Sequence, residues 1–187
     1  MGKYCVTILL IVNSLSVYCQ NEYYKVEFDK FSPDAKQMAQ MMEDNPADSF
    51  NGLAHNGEQI SFEKWAGVPM VLWFWDINDE ICRNQIDGLN LMHQIFDTKT
   101  HFVGFIYDKR SILEQFTAKR GIDFPVIPNS FRLGELNYGS EMGQGRLFLI
   151  DRNGIVRKAI PRDFFLDNNN SFIQLRGLIE ELVNEED

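Results

Sequence analysis

Seven consecutive residues, Pro69-Met70-Val71-Leu72-Trp73-Phe74-Trp75, carry no charged side chain and give way abruptly to Asp76-Ile77-Asn78-Asp79. A run this short and this apolar fits a β-strand covered on both faces, as at the centre of a parallel sheet. The period then changes. Between Asp79 and about Phe96, the residues Cys82, Ile86, Leu89, Met92 and Phe96 recur at spacings of 4, 3, 3 and 4, which places them on one stripe of a helix. A strand that needs cover on both faces and feeds an amphipathic helix constrains the chain to a layered α/β domain. Cys82 falls in the opening turn of that helix, on its inward side.

The remaining segments extend the same pattern. Tyr23 to Phe31 alternates like a strand, and Ser32-Pro33-Asp34 opens a short helix containing Met38, Met41 and Met42. Asn51-Gly52 and Asn56-Gly57 are turn signals, so Phe50 to Ile60 reads as a small hairpin, followed by a helical turn at Phe62 to Trp65 that Gly67 and Pro69 end. Downstream come a strand from Phe102 to Tyr107, a helix from Ser111 to Arg120 and a short extended piece from Phe124 to Ile127. Asn153-Gly154 joins two apolar strands in the strongest hairpin signal of the chain. A last helix presents Phe172, Leu175, Leu178, Ile179 and Leu182 on one side. The order β-α-β-α, then β-β-α, predicts a three-layer α/β/α sandwich around a central mixed sheet.

At 187 residues and 44% apolar, the chain closes one sizeable core. A formal charge of −9 without a basic run argues against nucleic acid and anionic membranes, and favours small molecules or proteins as partners. At the N-terminus, Lys3 precedes an apolar stretch from Val6 to Val12, then Ser14, Ser16 and Cys19, the layout of a secretory signal peptide. That stretch is too short to span a bilayer. We therefore expect a signal over residues 1–19, an N-terminal extension over 20–49 and one domain over 50–187, exported to a periplasm or secreted. Lipid attachment at Cys19, anchoring the chain to the cell envelope, is the alternative. With the signal removed, Cys82 is left as a lone thiol without a disulfide framework.

Several segments together resemble the thioredoxin fold and, more narrowly, the redoxin families: exported thiol-disulfide oxidoreductases of the TlpA type and the AhpC/TSA peroxidases. They are Gly67-Val68-Pro69 through Trp75, Cys82-Arg83, Phe124-Pro125-Val126, and Phe148-Leu149-Ile150-Asp151-Arg152-Asn153-Gly154. In the oxidoreductase pattern, a Phe-Trp pair precedes C-x-x-C by four residues, which puts the attacking cysteine at Asp79 and the resolving one at Cys82. The nucleophile is absent. The cis-proline of those enzymes falls near Gly145. The peroxidase pattern, P-x-x-x-T-x-x-C, puts its attacking cysteine at Cys82, its proline at Trp75 and its threonine at Asp79; its arginine falls at Gly145, one residue from Arg146.

Two readings of Cys82 follow. A thiol at a helix N-terminus gains from the dipole and free N–H groups, which favour a reactive thiolate with Asp79 as a proton acceptor and Arg83 or Arg146 as the helping cation. Alternatively, Cys82 is a small core residue on the Ile86 stripe and Asp79 an N-cap reaching the N–H of Cys82. Asp76, Asp79 and Glu80 all oppose a second negative charge beside them. Trp75 at the strand end is expected to face a cleft, with Asp76, Gly145 and Arg146 around it. Asp76-x-Asn78-x-Glu80 lacks the glycine and the closing glutamate of a calcium loop, and His55, His93 and His101 lack ligand spacing, so no metal or cofactor is expected. The leading expectation is an exported redoxin-family protein, a non-classical or inactive thiol-disulfide oxidoreductase homologue, that serves as a binding module with a protein or a small thiol or hydroperoxide as partner. The alternative is a one-cysteine peroxidase or thiol-transfer enzyme acting at Cys82 on a small thiol or hydroperoxide.

Overall fold

The computed structural model describes residues 32–139 and 145–185. The expected signal and the strand at Tyr23 to Phe31 lie outside them. In chain order the elements are helix α1 (Pro33–Met42), strands β1 (Asn51–Leu53) and β2 (Gln59–Ser61), helix α2 (Phe62–Trp65), strand β3 (Met70–Trp75) and helix α3 (Glu80–Phe96). Strand β4 (His101–Ile106), helix α4 (Arg110–Thr117) and strand β5 (Val126–Ile127) follow. A π-helical turn at Leu133–Asn137 leads to β6 (Arg146–Ile150) and β7 (Val156–Pro161), and a 3-10 turn at Arg162–Leu166 leads to α5 (Asn168–Asn184).

The apolar run at 70–75 occupies the middle of a five-stranded mixed sheet of order β5-β4-β3-β6-β7. Strand β3 pairs in parallel with β4, from Met70↔His101 to Trp75↔Ile106, and antiparallel with β6, from Met70↔Ile150 to Phe74↔Arg146. All six of its residues are buried because successive side chains point to opposite faces and both faces are covered. Val71, Trp73 and Trp75 meet the inward stripe of α3 together with Leu175, Ile179 and Leu182 of α5. Met70, Leu72 and Phe74 meet Ala39 of α1, Phe50, Ile60 and Tyr138. Burying side chains of this size is worth about 1.5–3 kcal/mol each relative to exposure, so this strand is the main anchor of the core. Trp73 and Trp75 add a parallel stack with ring centroids 4.6 Å apart.

Both edges of the sheet are closed by local chemistry. His55 lies beside β5, donating its N–H to the Val126 carbonyl at 2.8 Å and accepting the Val126 N–H on Nδ1 at 3.2 Å. Beside β7, Asp44 and Asn45 exchange two backbone bonds with Val156, and the Glu43 carboxylate accepts the Ala159 N–H at 3.2 Å. Unpaired edge groups that would template another strand are thereby used.

The expected three-layer sandwich is present, and its two covers differ. Helices α3 and α5 form one; α1, the small hairpin and the turn before Tyr138 form the other. Of the two turn signals near residue 50, only Asn56-Gly57 makes a turn, with Gly57 at φ 87°. Asn51-Gly52 lies in β1 instead, where a Cβ on Gly52 would come within 2.7 Å of the Ile127 side chain. Glycine is required there for close approach to the neighbouring strand. Helix α4 is shorter than its pattern, ending at Thr117. No helix among the described residues is long and apolar enough to cross a membrane.

Candidate functional site

The end of β3 delivers the chain into a tight turn held by its own side chains. Asp76 accepts the Asn78 N–H on Oδ1 at 2.7 Å, and Arg83 reaches back to donate Nη1 to the Ile77 carbonyl at 2.8 Å. Helix α3 then starts with Asp79 as its N-cap: Oδ1 accepts the Ile81 N–H at 2.9 Å. The cap expected from the sequence is therefore real, but its partner is Ile81 rather than Cys82, because the carboxylate's second oxygen is occupied. That oxygen, Oδ2, accepts Nη1 of Arg162 at 2.9 Å and the thiol of Cys82 at 3.4 Å. Arg162 stands at the end of β7, 83 positions away in sequence.

Cys82 is completely buried. Its pKa is pushed up to about 12, first by burial and then by the charge and hydrogen bond of Asp79; a backbone hydrogen bond from Asp76 and the Arg162 charge oppose this without offsetting it. Burial also works to raise the Asp79 carboxyl, but the bonds from Arg162 and Ile81 outweigh it and hold Asp79 below the usual carboxylate range. The Arg162 guanidinium is pushed above its ordinary value, chiefly by its bond to Asp79. Thus the proton rests on sulfur and the negative charge on Asp79, the reverse of what a thiolate enzyme needs.

Gly145, the residue before β6, closes the site from the other side. A Cβ on Gly145 would lie 2.5 Å from Cys82 Sγ and 3.3 Å from the Phe74 carbonyl oxygen, so the Gly145 backbone sits directly against the sulfur. Beyond Gly145 opens a cavity of about 220 Å³, lined by Ser32, Asp34, Arg146, Pro161, Arg162 and Asp163 as well as Gly145.

The structure brings Cys82, Asp79 and Gly145 together and keeps Arg146 on the cavity beyond Gly145 as expected, and it corrects three other roles: Trp75 at a cleft, and Arg83 and Arg146 as the cation beside the thiol. Trp75 does not face a cleft: it is 1% exposed, stacked on Trp73 and packed near Phe116. Arg83 is spent on the Ile77 carbonyl and closes the turn. Arg146 is the cross-strand partner of Phe74, on the sheet face opposite the one that holds Cys82. The cation next to the site is Arg162, which sequence reasoning missed. No local pattern marks it, since only the pairing of β7 with β6 and of β6 with β3 carries its chain segment to α3. Asp76 remains at the site, its carboxylate used in the turn. Among the described residues no group of side chains could hold a metal ion.

With this geometry in view, the comparisons with known proteins are consistent. Among solved structures, a Chlorobium tepidum protein described as a thiol:disulfide interchange protein DsbE aligns at TM-score 0.64 and 21% identity, covering 75% of this chain and 97% of that one. A thioredoxin-family thiol:disulfide interchange protein from Chlorobium tepidum TLS aligns at TM-score 0.62 and 19% identity, covering 76% and 98%. A secreted Mycobacterium tuberculosis disulfide oxidoreductase aligns at TM-score 0.55 and 16% identity, covering 70% and 95%. At these identities the likeness establishes the thioredoxin-like fold. No curated protein matches the chain in sequence. The sequence model of the AhpC/TSA family, however, matches residues 44–159, more than half the chain and the whole stretch that builds the sheet as far as β7. On that match, and on a fold that agrees with it, this chain belongs to the AhpC/TSA family of the redoxin superfamily.

Proposed function

We propose that this chain is an exported binding module in which a fixed structural contact has replaced the thiol chemistry of the fold. One observation carries the reading: the Cys82 thiol is fully buried, donates to Asp79 and has its pKa pushed up to about 12. Dithiol exchange needs one thiolate to attack and a second thiol to release the mixed disulfide. Here the attacking position holds Asp79, whose carboxylate can do neither. A one-cysteine peroxidase would need an accessible thiolate at neutral pH, and burial, Asp79 and the Gly145 backbone all oppose one. The binding surface on this reading is the cavity beyond Gly145. Its rim alternates Arg146 and Arg162 with Asp34 and Asp163, which suits a protein segment bearing both charges better than a hydroperoxide. Export is supported by the N-terminal layout of charge, apolar stretch and small residues, and by likeness to a secreted relative.

Activity assays on the purified chain test this directly. The expected result is no consumption of hydrogen peroxide or an alkyl hydroperoxide, and no reduction of a protein disulfide, above the rate of Cys82→Ser. Turnover that disappears in Cys82→Ser would establish the enzyme instead. The mass of the mature chain recovered from an exporting host distinguishes cleavage from lipid attachment at Cys19, and recovery of uncleaved chain from the cytoplasm would remove export from the proposal.

A further inference from the structure

A second concavity lies on the face of the sheet opposite the thiol. Its volume is about 410 Å³, within the range of small-molecule sites. It is bounded by the β1 strand of the small hairpin, the end of β5 and the turn that follows β5. Phe105, Ile127 and Leu133 at its base belong to the core on that face, whereas Cys82 belongs to the core on the opposite one.

Charge makes this cavity unusual for the chain. The protein carries 27 acidic residues against 18 lysines and arginines, yet the cavity lining includes Arg110 and Arg132 and no aspartate or glutamate. Arg110 is held in place: Nη1 donates to the Ala54 carbonyl at 3.1 Å and Nη2 to the Leu53 carbonyl at 2.5 Å. A guanidinium has five N–H donors in a rigid plane, so three remain for a ligand whose position the first two have already fixed. Arg132 takes part in no ion pair among the described residues. The polar groups Asn51 and Asn129 stand at the same opening.

The wall between these groups is rigid. Asn129 adopts φ 58°, a left-handed conformation that asparagine tolerates. Its N–H donates to the Asp108 carbonyl at 3.0 Å, the Ser130 N–H donates to the Ile106 carbonyl at 2.9 Å, and the Ser130 hydroxyl donates to the Ile127 carbonyl at 2.9 Å. Little ordering is therefore left for binding to cost.

From this arrangement we infer a binding site for a small organic anion, a carboxylate or phosphate monoester whose charged end meets Arg110 and Arg132 and whose apolar body rests on Leu53 and Leu133. Both anions match the guanidinium fork, and a pocket of this size admits a compact molecule. Neither the thiol nor the cavity beyond Gly145 takes part, so the site stands or falls independently of the binding role proposed there.

Titration calorimetry of the full chain with phenyl phosphate, benzoate, inorganic phosphate and benzyl alcohol tests the inference. Phenyl phosphate or benzoate is expected to bind saturably, one per chain, at least ten-fold more tightly than inorganic phosphate or benzyl alcohol. Arg132→Ala and Arg132→Gln are each expected to weaken that binding ten-fold or more with an unchanged melting temperature, and Arg176→Ala, on the exposed face of α5, leaves it intact. Absence of saturable binding by both aromatic anions would overturn the assignment, as would equal affinity in the Arg132 variants. Inorganic phosphate binding as tightly as phenyl phosphate would remove the apolar half of the site, and with it the proposal.

Discussion

Two regions that share Gly145 have opposite character. On its inner side the Cys82 sulfur is sealed by backbone, capped by Asp79 and held protonated. On its outer side the cavity rimmed by Arg146, Arg162, Asp34 and Asp163 is open and charged. Proximity to a helix N-terminus therefore does not by itself supply a thiolate. What a helix N-terminus gains for a thiolate, under about 1 kcal/mol at an exposed site, is smaller than the combined effect of burial and an adjacent carboxylate. The position has kept its geometry while its polar atoms serve a structural contact.

The largest effect that would test this contrast comes from Gly145→Ala. Its Cβ would collide with the sulfur and crowd the Phe74 carbonyl, and overpacking of this kind costs about 1–3 kcal/mol. In a Cys82→Ala background the cost is expected to fall, because the nearer atom is gone. Urea unfolding of the two single variants and the double variant measures that coupling, and strict additivity would show that sulfur and backbone are not in contact.

Asp79→Ala comes next. Loss of the helix cap costs about 0.5–2 kcal/mol. The same substitution removes a charge and a hydrogen bond that raise the thiol, so the pKa of Cys82 is expected to fall while staying above that of a free cysteine, since burial is the largest cause of its shift. Chemical denaturation gives the first quantity and thiol titration the second.

Arg162→Ala is smaller, about 1 kcal/mol or less, because this guanidinium is one-third exposed and water screens the pair. Its signature is in the pH dependence. Asp79 has its carboxyl held below the unfolded-state value, so it contributes stability above that value, lost as pH falls through the folded one. Without Arg162 this contribution shrinks, and acid unfolding of the variant is expected to begin at higher pH than in the parent chain.

The smallest effect comes from three histidines outside the site. Burial lowers the pKa of His55, His93 and His101, so in acid the unfolded chain takes up their protons before the folded chain does. Stability is therefore complete above about pH 6.5 and declines as pH drops below it. For His55 the same protonation removes the acceptor for the Val126 N–H. A melting temperature that does not change between pH 7.5 and 5.5 would contradict this.

The same contrast separates what neighbouring residues encode from what only packing decides. The buried strand at 70–75, the α3 stripe and the Asn153-Gly154 hairpin were legible because each is set by residues adjacent in sequence or one turn apart. Asp79 as a cap was legible for the same reason. Arg162 was not, because it reaches Asp79 only after β6 and β7 have added to β3. Trp75 reads as facing a cleft because an apolar residue at a strand end gives no sign of how far the cover beyond it extends; in the fold, Phe116 of α4 and the Trp73 ring complete that cover. The second cover of the sheet was the hardest part to assemble, since α1, a hairpin of three-residue strands and a π-helical turn carry short patterns that acquire meaning only when packed.

The pH dependence of Cys82 alkylation in the native chain, set against the same chain in denaturant, tests the central claim most directly. The account predicts negligible native labelling at neutral pH, a reaction that rises only toward a pKa of about 12, and ordinary thiol reactivity once unfolded. Rapid native labelling at pH 7 with an apparent pKa below that of a free cysteine, about 8.5, would contradict it.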